Sequence, residues 1–138
     1  FRDPNVIVFD RSVTMLDRIK FLHCTSAYPA PADALRLARI RDAEHGMEVD
    51  GFSDHSDPAL TWTGALAVAA GATIVEAHLR LHETDPRNPD YPHAMTPPQF
   101  GDYVRRIRHA EVCLGDGEKR LLEAERPMAR YRVGPIGI

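Results

Sequence analysis

Three polar clusters carry most of the chemistry available to this chain: His23-Cys24-Thr25-Ser26 followed by Tyr28-Pro29, then Ser53-Asp54-His55, then Glu76-Ala77-His78. Each falls at the end of a short segment rich in apolar residues. His55 and His78 are 23 residues apart. That separation fits one helix and two turns, so the two imidazoles are expected on neighbouring strand ends, within reach of a single metal ion. Two neutral imidazoles with nearby oxygen ligands suit a borderline divalent ion such as Mn²⁺, Fe²⁺ or Zn²⁺, while a strand-end histidine also serves as a hydrogen-bonded structural residue. Glu76 alternates with His78 and so points to the same side of a strand. A carboxylate there can orient a hydroxyl or move a proton, or simply hold an imidazole in place. Thr25, Ser26 and Ser53 are small donors suited to a phosphate or carboxylate, and equally ordinary turn residues. His23, inside an apolar run, reads as a satisfied core residue; His45, His82, His93 and His109 read as solvated loop or helix positions.

The elements that must position these groups follow from the apolar pattern. Residues 19–24 (IKFLHC), 48–53 (EVDGFS) and 73–78 (TIVEAH) have the length of buried strands, with a shorter fourth candidate at 6–9. Between them, Pro31-Ala32-Asp33 opens a helical run to Glu44, with Gly46 placed to stop it. Residues 60–70 form a second, largely buried helix candidate. A third starts after Thr96, which can cap it, with Pro97 at its first position. Phe100, Val104, Ile107, Ala110 and Leu114 make its apolar stripe, and Gly115-Asp116-Gly117 ends it. No element is assigned beyond residue 118.

Strands alternating with helices predict an α/β fold with a parallel sheet and crossover helices. Two architectures satisfy this: a small doubly wound sheet, or a piece of a (β/α)8 barrel. A whole barrel takes about 250 residues, and the chain has 138. In either case the active groups collect at the C-terminal ends of the strands, where the three clusters fall. Half a barrel also has two open edges that something must cover, so self-association or a partner is expected.

Composition bounds the rest. With 43% hydrophobic and 27% charged residues the chain reads as one globular domain. Lys plus Arg is 17 against 20 for Asp plus Glu, a net charge of −3, which offers no attraction to nucleic acid. No apolar run approaches the roughly 20 residues that cross a bilayer. The opening Phe1-Arg2-Asp3-Pro4 has neither Met nor a leader pattern and reads as a piece of something longer. Cys24 and Cys113 read as reduced core thiols, which points to the cytoplasm. There is no glycine-rich phosphate loop, Cys-x-x-Cys pair or Gly-x-Ser-x-Gly elbow, against the usual nucleotide loops and serine hydrolase chemistry.

In order and spacing, the blocks from His23 to Pro29, Gly51 to His55, Gly71 to His78 and Pro89-Asp90 resemble the second half of the barrel of the N-acetylneuraminate (sialic acid) synthases. The resemblance covers about residues 19–120 and includes the helix that ends in Leu114-Gly115. It implies a TIM-barrel half over residues 1–117 and a tail or linker over 118–138. It also implies a metal-dependent condensation of phosphoenolpyruvate with an N-acylated amino sugar, such as N-acetylmannosamine, to a nonulosonic acid and phosphate. By position, His55 and His78 match the family's metal ligands, usually for manganese (Mn²⁺). Ser26 and Tyr28 match contacts to phosphoenolpyruvate and the sugar, and Ser53 a further phosphoenolpyruvate contact. Glu76 matches the carboxylate that meets the sugar beside the metal, and Tyr28 and Glu76 are the expected catalytic residues. Asp90 matches the Asp of a Gly-Pro-Asp motif that binds sugar hydroxyls, although Asn88 stands here in place of the Gly.

The family keeps phosphate-binding lysines and a catalytic glutamate on the first half of the barrel, and this chain has only Lys20 and Lys119. Lys20 is expected on the rim opposite the chemistry. Arg11 stands in Phe9-Asp10-Arg11-Ser12, where relatives usually read Ser-Thr-Gly. The family's antifreeze-protein-like domain would need more than the 21 residues that follow Gly117. The missing barrel half is therefore expected in cis or in trans, within an oligomer, with no nucleic acid or membrane as partner. The rival reading is a non-catalytic subunit or remnant that keeps the fold and binds sugar or a partner. A metal-dependent hydrolase is a third, without a His-x-His pair to support it.

Overall fold

The computed structural model describes residues 19–41 and 49–131. The strand expected at 6–9, Arg11 with the 9–12 stretch, His45, and the first helix's end at Glu44 and Gly46 lie outside those residues. Among the described residues three strands form one sheet: β1 (Leu22–Cys24), β2 (Gly51–Asp54) and β3 (Ile74–Ala77), all parallel and in the order β1-β2-β3. Spatial order equal to chain order is how successive βα units are laid down around a barrel. The register aligns Cys24 with Ser53 and Ser53 with Glu76, so one row of polar side chains crosses the sheet just before its C-terminal edge. Gly51 makes the spacing of β2 and β3 possible, since a Cβ there would stand 2.0 Å from the Ile74 carbonyl oxygen.

The strands are not buried on both sides as their apolar runs predicted. One face carries Phe52 and Asp54, both buried under the helices; the other carries Cys24, Glu76 and Ile74, all exposed. That second face is the one a complete barrel turns inward. Cys24 and Cys113 are free but exposed, so the core placement expected for them does not hold: Cys24 is on the open face and Cys113 near the end of the last helix.

The first crossover is not the α-helix expected from Pro31 onward. It is two short 3-10 turns, Ala32–Ala34 and Leu37–Ile40, separated at Arg36 by a left-handed residue with φ of 48°. The carbonyls a continuous helix would use internally are taken by side chains of β1 and its loop. Thr25 donates its hydroxyl to Ala34 O at 3.0 Å, and His23 Nε2 lies 2.7 Å from Leu35 O. His23 also stacks on Phe52, with centroids 6.2 Å apart, which satisfies it as expected. Leu35, Ile40, Phe52, Ala67 and Ala72 form the core between sheet and helices.

Helix α1 (Thr63–Ala69) is shorter than its apolar run. Residues 57–63 make turns first, with Leu60 N bonded to Asp57 O at 2.8 Å. Helix α2 (Pro97–Leu114) begins where the sequence indicates: Thr96 caps it, Pro97 leads, and Gln99 Oε1 accepts from the Thr96 amide at 2.9 Å. Its buried face is rotated from the expected stripe. Tyr103 is 2% exposed, whereas Val104 is 37% and Leu114 50% exposed. Counting aliphatic residues missed Tyr103, whose ring packs on Gly64 of α1 and whose hydroxyl finds a buried partner. The tail, read as lacking any element, carries an exposed 3-10 helix over Glu123–Tyr131.

Candidate functional site

The site is built where the three strands end. Asp54, the last residue of β2, is buried and accepts three hydrogen bonds: from Ser56 N at 2.9 Å, Thr63 Oγ1 at 2.5 Å and Tyr103 OH at 2.8 Å. These tie the end of β2 to the start of α1 and to α2, and they fix the next residue, His55. Burial, and then the adjoining Asp54 carboxylate, push the Tyr103 hydroxyl far above its ordinary value, so it stays a donor. The loop after β1 folds over the same edge through Ala30 N to His55 O at 2.7 Å. That brings the exposed Tyr28 ring to 4.8 Å from the His55 ring.

His78 follows β3. Its carbonyl accepts Met95 N at 2.8 Å and Arg80 N bonds Met95 O at 2.9 Å, so the chain returns to the strand end just before α2. A turn in which His93 N and Ala94 N both bond Asp90 O then sets His93 beside His78. The ring centroids are 5.1 Å apart for His55–His78, 4.5 Å for His78–His93 and 5.1 Å for His55–His93. One ligand nitrogen from each of the three lies within 4.8 Å of the others. His93 is 2% exposed, and among the described residues both its ring nitrogens lack a hydrogen-bond partner. Burial, then the neighbouring His78 and His55 rings, hold it below its ordinary value, hence neutral and able to ligate. A borderline divalent ion fits this donor set: three imidazoles converge, and among the described residues the buried His93 nitrogens have no other partner.

Carboxylates flank the imidazoles. Glu76 accepts from Ser53 Oγ at 2.6 Å across the register pair and has its other oxygen 3.8 Å from His78 Nε2. Asp90 places one oxygen 3.6 Å from His78 Nδ1 and the other 3.8 Å from His93 Nε2. Cys24 Sγ lies 3.3 Å from His55 Nδ1, and burial raises its thiol above the ordinary value. Of the residues singled out from sequence, His55, His78, Glu76, Ser53, Asp90 and Tyr28 come together here. Ser26 lies exposed in the turn that carries Tyr28. Thr25, expected at the mouth, spends its hydroxyl on the crossover instead. Lys20 bonds Asp50 at 2.9 Å, ahead of β1 and β2 and so on the opposite rim. Sequence reasoning reads His93 as solvated and so misses it, and it names Asp54 within a cluster without giving it a role of its own. Nothing periodic marks His93; only the return of the chain to Met95 brings it in.

A family model described as the NeuB family matches residues 8–119. This chain belongs to the NeuB family. Over 116 residues it is 34% identical to an N,N'-diacetyllegionaminic acid synthase of Legionella pneumophila, covering 83% of this chain and 32% of that protein. It is 32% identical to the human N-acetylneuraminate-9-phosphate synthase over 76% of this chain and 29% of that one. The crystal structure of an N-acetylneuraminic acid (sialic acid) synthetase from Leptospira borgpetersenii, in complex with citrate, matches with a TM-score of 0.66 and 29% identity. That match covers 80% of this chain and 38% of the synthetase. The chain thus spans about a third of the length of these curated relatives. With NeuB-family membership the two architectures left open by the sequence reduce to one: the sheet and its crossovers are part of a (β/α)8 barrel, and the histidine cluster sits at its C-terminal rim.

Proposed function

We propose that this chain supplies the metal-bearing part of a barrel that condenses phosphoenolpyruvate with an N-acylated amino sugar, giving a nonulosonic acid and phosphate. The observation that carries the reading is the convergence of His55, His78, Glu76, Ser53 and Asp90 at one strand-end rim. His55 and His78 would hold a divalent ion, Mn²⁺ in the first instance, which when bound supplies Lewis acidity to the sugar's aldehyde oxygen. Glu76, half exposed beside His78, orients a sugar hydroxyl or moves its proton. Asp90 accepts from further hydroxyls. Ser26 and Tyr28 offer donors to the anionic co-substrate, and Ser53 would add its hydroxyl on release from Glu76. In balance, the phosphoenolpyruvate methylene carbon bonds to the aldehyde carbon, water adds at the enol carbon, and phosphate departs. The phosphate clamp must come from the rest of the barrel, in cis or in trans, within an oligomer. Two free cysteines fit a reducing compartment, which we take to be the cytoplasm; among the described residues no helix is long and apolar enough to cross a membrane.

The test is phosphate release from phosphoenolpyruvate by the assembled protein. Release is expected only when an N-acylated amino sugar is present; release without sugar, or none with any such sugar, overturns the reading. A non-catalytic, sugar-binding role is favoured by one observation, that Lys20 is held by Asp50 away from the site. Sugar binding without turnover in the same experiment is its signature.

A further inference from the structure

We propose that His93 is a third imidazole ligand of the ion, so that the centre is a three-histidine site rather than a pair. This rests on the metal reading above and deepens it. His55 and His78 each meet another group at Nδ1: Cys24 Sγ at 3.3 Å from His55, an Asp90 oxygen at 3.6 Å from His78. His55 thus keeps Nε2 for an ion, and His78 Nε2 has the Glu76 carboxylate beside it at 3.8 Å, where both can face the same ion. His93 has no such division of labour. Its side chain is 1% exposed, and among the described residues neither ring nitrogen has a hydrogen-bond partner, an Asp90 oxygen standing 3.8 Å from Nε2. Buried polar nitrogens of a native protein are almost always satisfied, and the groups facing this ring are the His55, His78 and Tyr28 rings, at 4.5 to 5.1 Å between centroids. Aromatic faces and imidazoles that already have partners do not meet the need; a cation shared with His55 and His78 does. Ligand nitrogens within 4.8 Å of one another close to bonds of about 2.1 Å by small side-chain rotations.

The consequence is selectivity. Each added nitrogen donor strengthens binding of the later ions of the Irving–Williams order relative to Mn²⁺, so a third imidazole raises the affinity of the centre for Co²⁺ over Mn²⁺ above that of a histidine pair. Three imidazoles also leave up to three positions of an octahedron for oxygen ligands.

The experiment is Co²⁺ binding to the full-length assembled protein, read by equilibrium dialysis and by visible absorption. His93→Ala is expected to weaken binding by at least roughly 100-fold, the upper end of what loss of a group behind a ligand does, and to change the d–d bands. His93→Cys decides the matter even if the alanine variant folds poorly. It should keep the ion and add a thiolate-to-Co²⁺ charge-transfer band beyond any that Cys24 gives in the wild type. Unchanged affinity in His93→Ala with no new band in His93→Cys overturns the third ligand and leaves the two-histidine reading standing. Absence of Co²⁺ binding by the wild type overturns both.

Discussion

Asp54 and Tyr103 have no part in the chemistry, yet His55 is held where it is because of them. The carboxylate is fully buried with three donors on it. Hydrogen bonds to a charged group contribute roughly 1.5–3 kcal/mol, and an unmet buried acceptor costs more than the bond itself contributes. Tyr103→Phe keeps the ring and removes one donor, so it should destabilise the fold by about 1.5–3 kcal/mol, read as a lower denaturant midpoint at unchanged slope. No change in midpoint would show that water replaces the hydroxyl. At this scale the sequence was informative where period and strand ends decide. Glu76 and His78 share a side because alternation puts them there, and Ser53 meets Glu76 because the register aligns them. It was silent where the contact is made across the fold. Asp54 sat within a cluster that was noted, but its partners come from α1 and α2, 9 and 49 residues away. His93 looked like a loop residue because nothing local marks the loop's return.

Two close approaches set how the elements hold that rim. Gly64 lets α1 lie against Tyr103 of α2; a Cβ there would be 2.4 Å from the ring's Cζ and 2.8 Å from Ile107 Cδ1. Gly to Ala in a helix ordinarily stabilises by about 0.5–1 kcal/mol. Overpacking costs about 1–3 kcal/mol and should win here, because Tyr103 is anchored at its hydroxyl and cannot swing away. Gly64→Ala is therefore expected to lower the melting temperature, whereas Gly101→Ala, with open space around it, should not. The turn that leads into α1 is joined to α2 as well: Thr61 Oγ1 donates to Asp102 at 2.5 Å, and Arg106 Nε of α2 lies 2.8 Å from the same carboxylate. The Thr61 bond first, and then Arg106, hold the Asp102 carboxyl below its ordinary 3.8. A depressed carboxyl stabilises the fold fully above its unfolded value and ceases to as pH falls through the folded one. The stability gap between wild type and Asp102→Asn should accordingly narrow as pH falls through the ordinary carboxyl range and on through the lower folded value; a gap that is constant with pH would mean the carboxylate contributes nothing by its charge. Of the elements, α2 was legible to its cap because Thr96-Pro97 is a local signal. The first crossover was not, because His23 and Thr25 compete for the carbonyls its helix would have used.

For the whole molecule, the division of parts is the telling feature. All three imidazoles, Glu76 and Asp90 lie in this chain, and Lys20 is tied to Asp50 on the far rim. On the proposed function, metal binding and phosphate handling would then fall to different portions of the barrel. Among the described residues β1 and β3 leave their outer edges unpaired, and the inward face exposes Ile74 and Glu76. Beside β3 a groove lined by Val68, Val75, Val104 and Ile107 stays open. Parallel edges of this kind pair with whatever strand is offered. Residues 1–138 expressed alone should therefore self-associate in sedimentation velocity, and co-expression with the polypeptide that completes the barrel should replace the aggregate by a discrete complex. If the histidine centre is local to this chain, Co²⁺ should bind the associated material with the spectrum it shows in the complete barrel, while phosphate release from phosphoenolpyruvate appears only in the complex. A monodisperse, folded monomer would mean that the edges are covered from within residues 1–138. Co²⁺ binding confined to the complex would mean that the centre draws a ligand from the other part of the barrel.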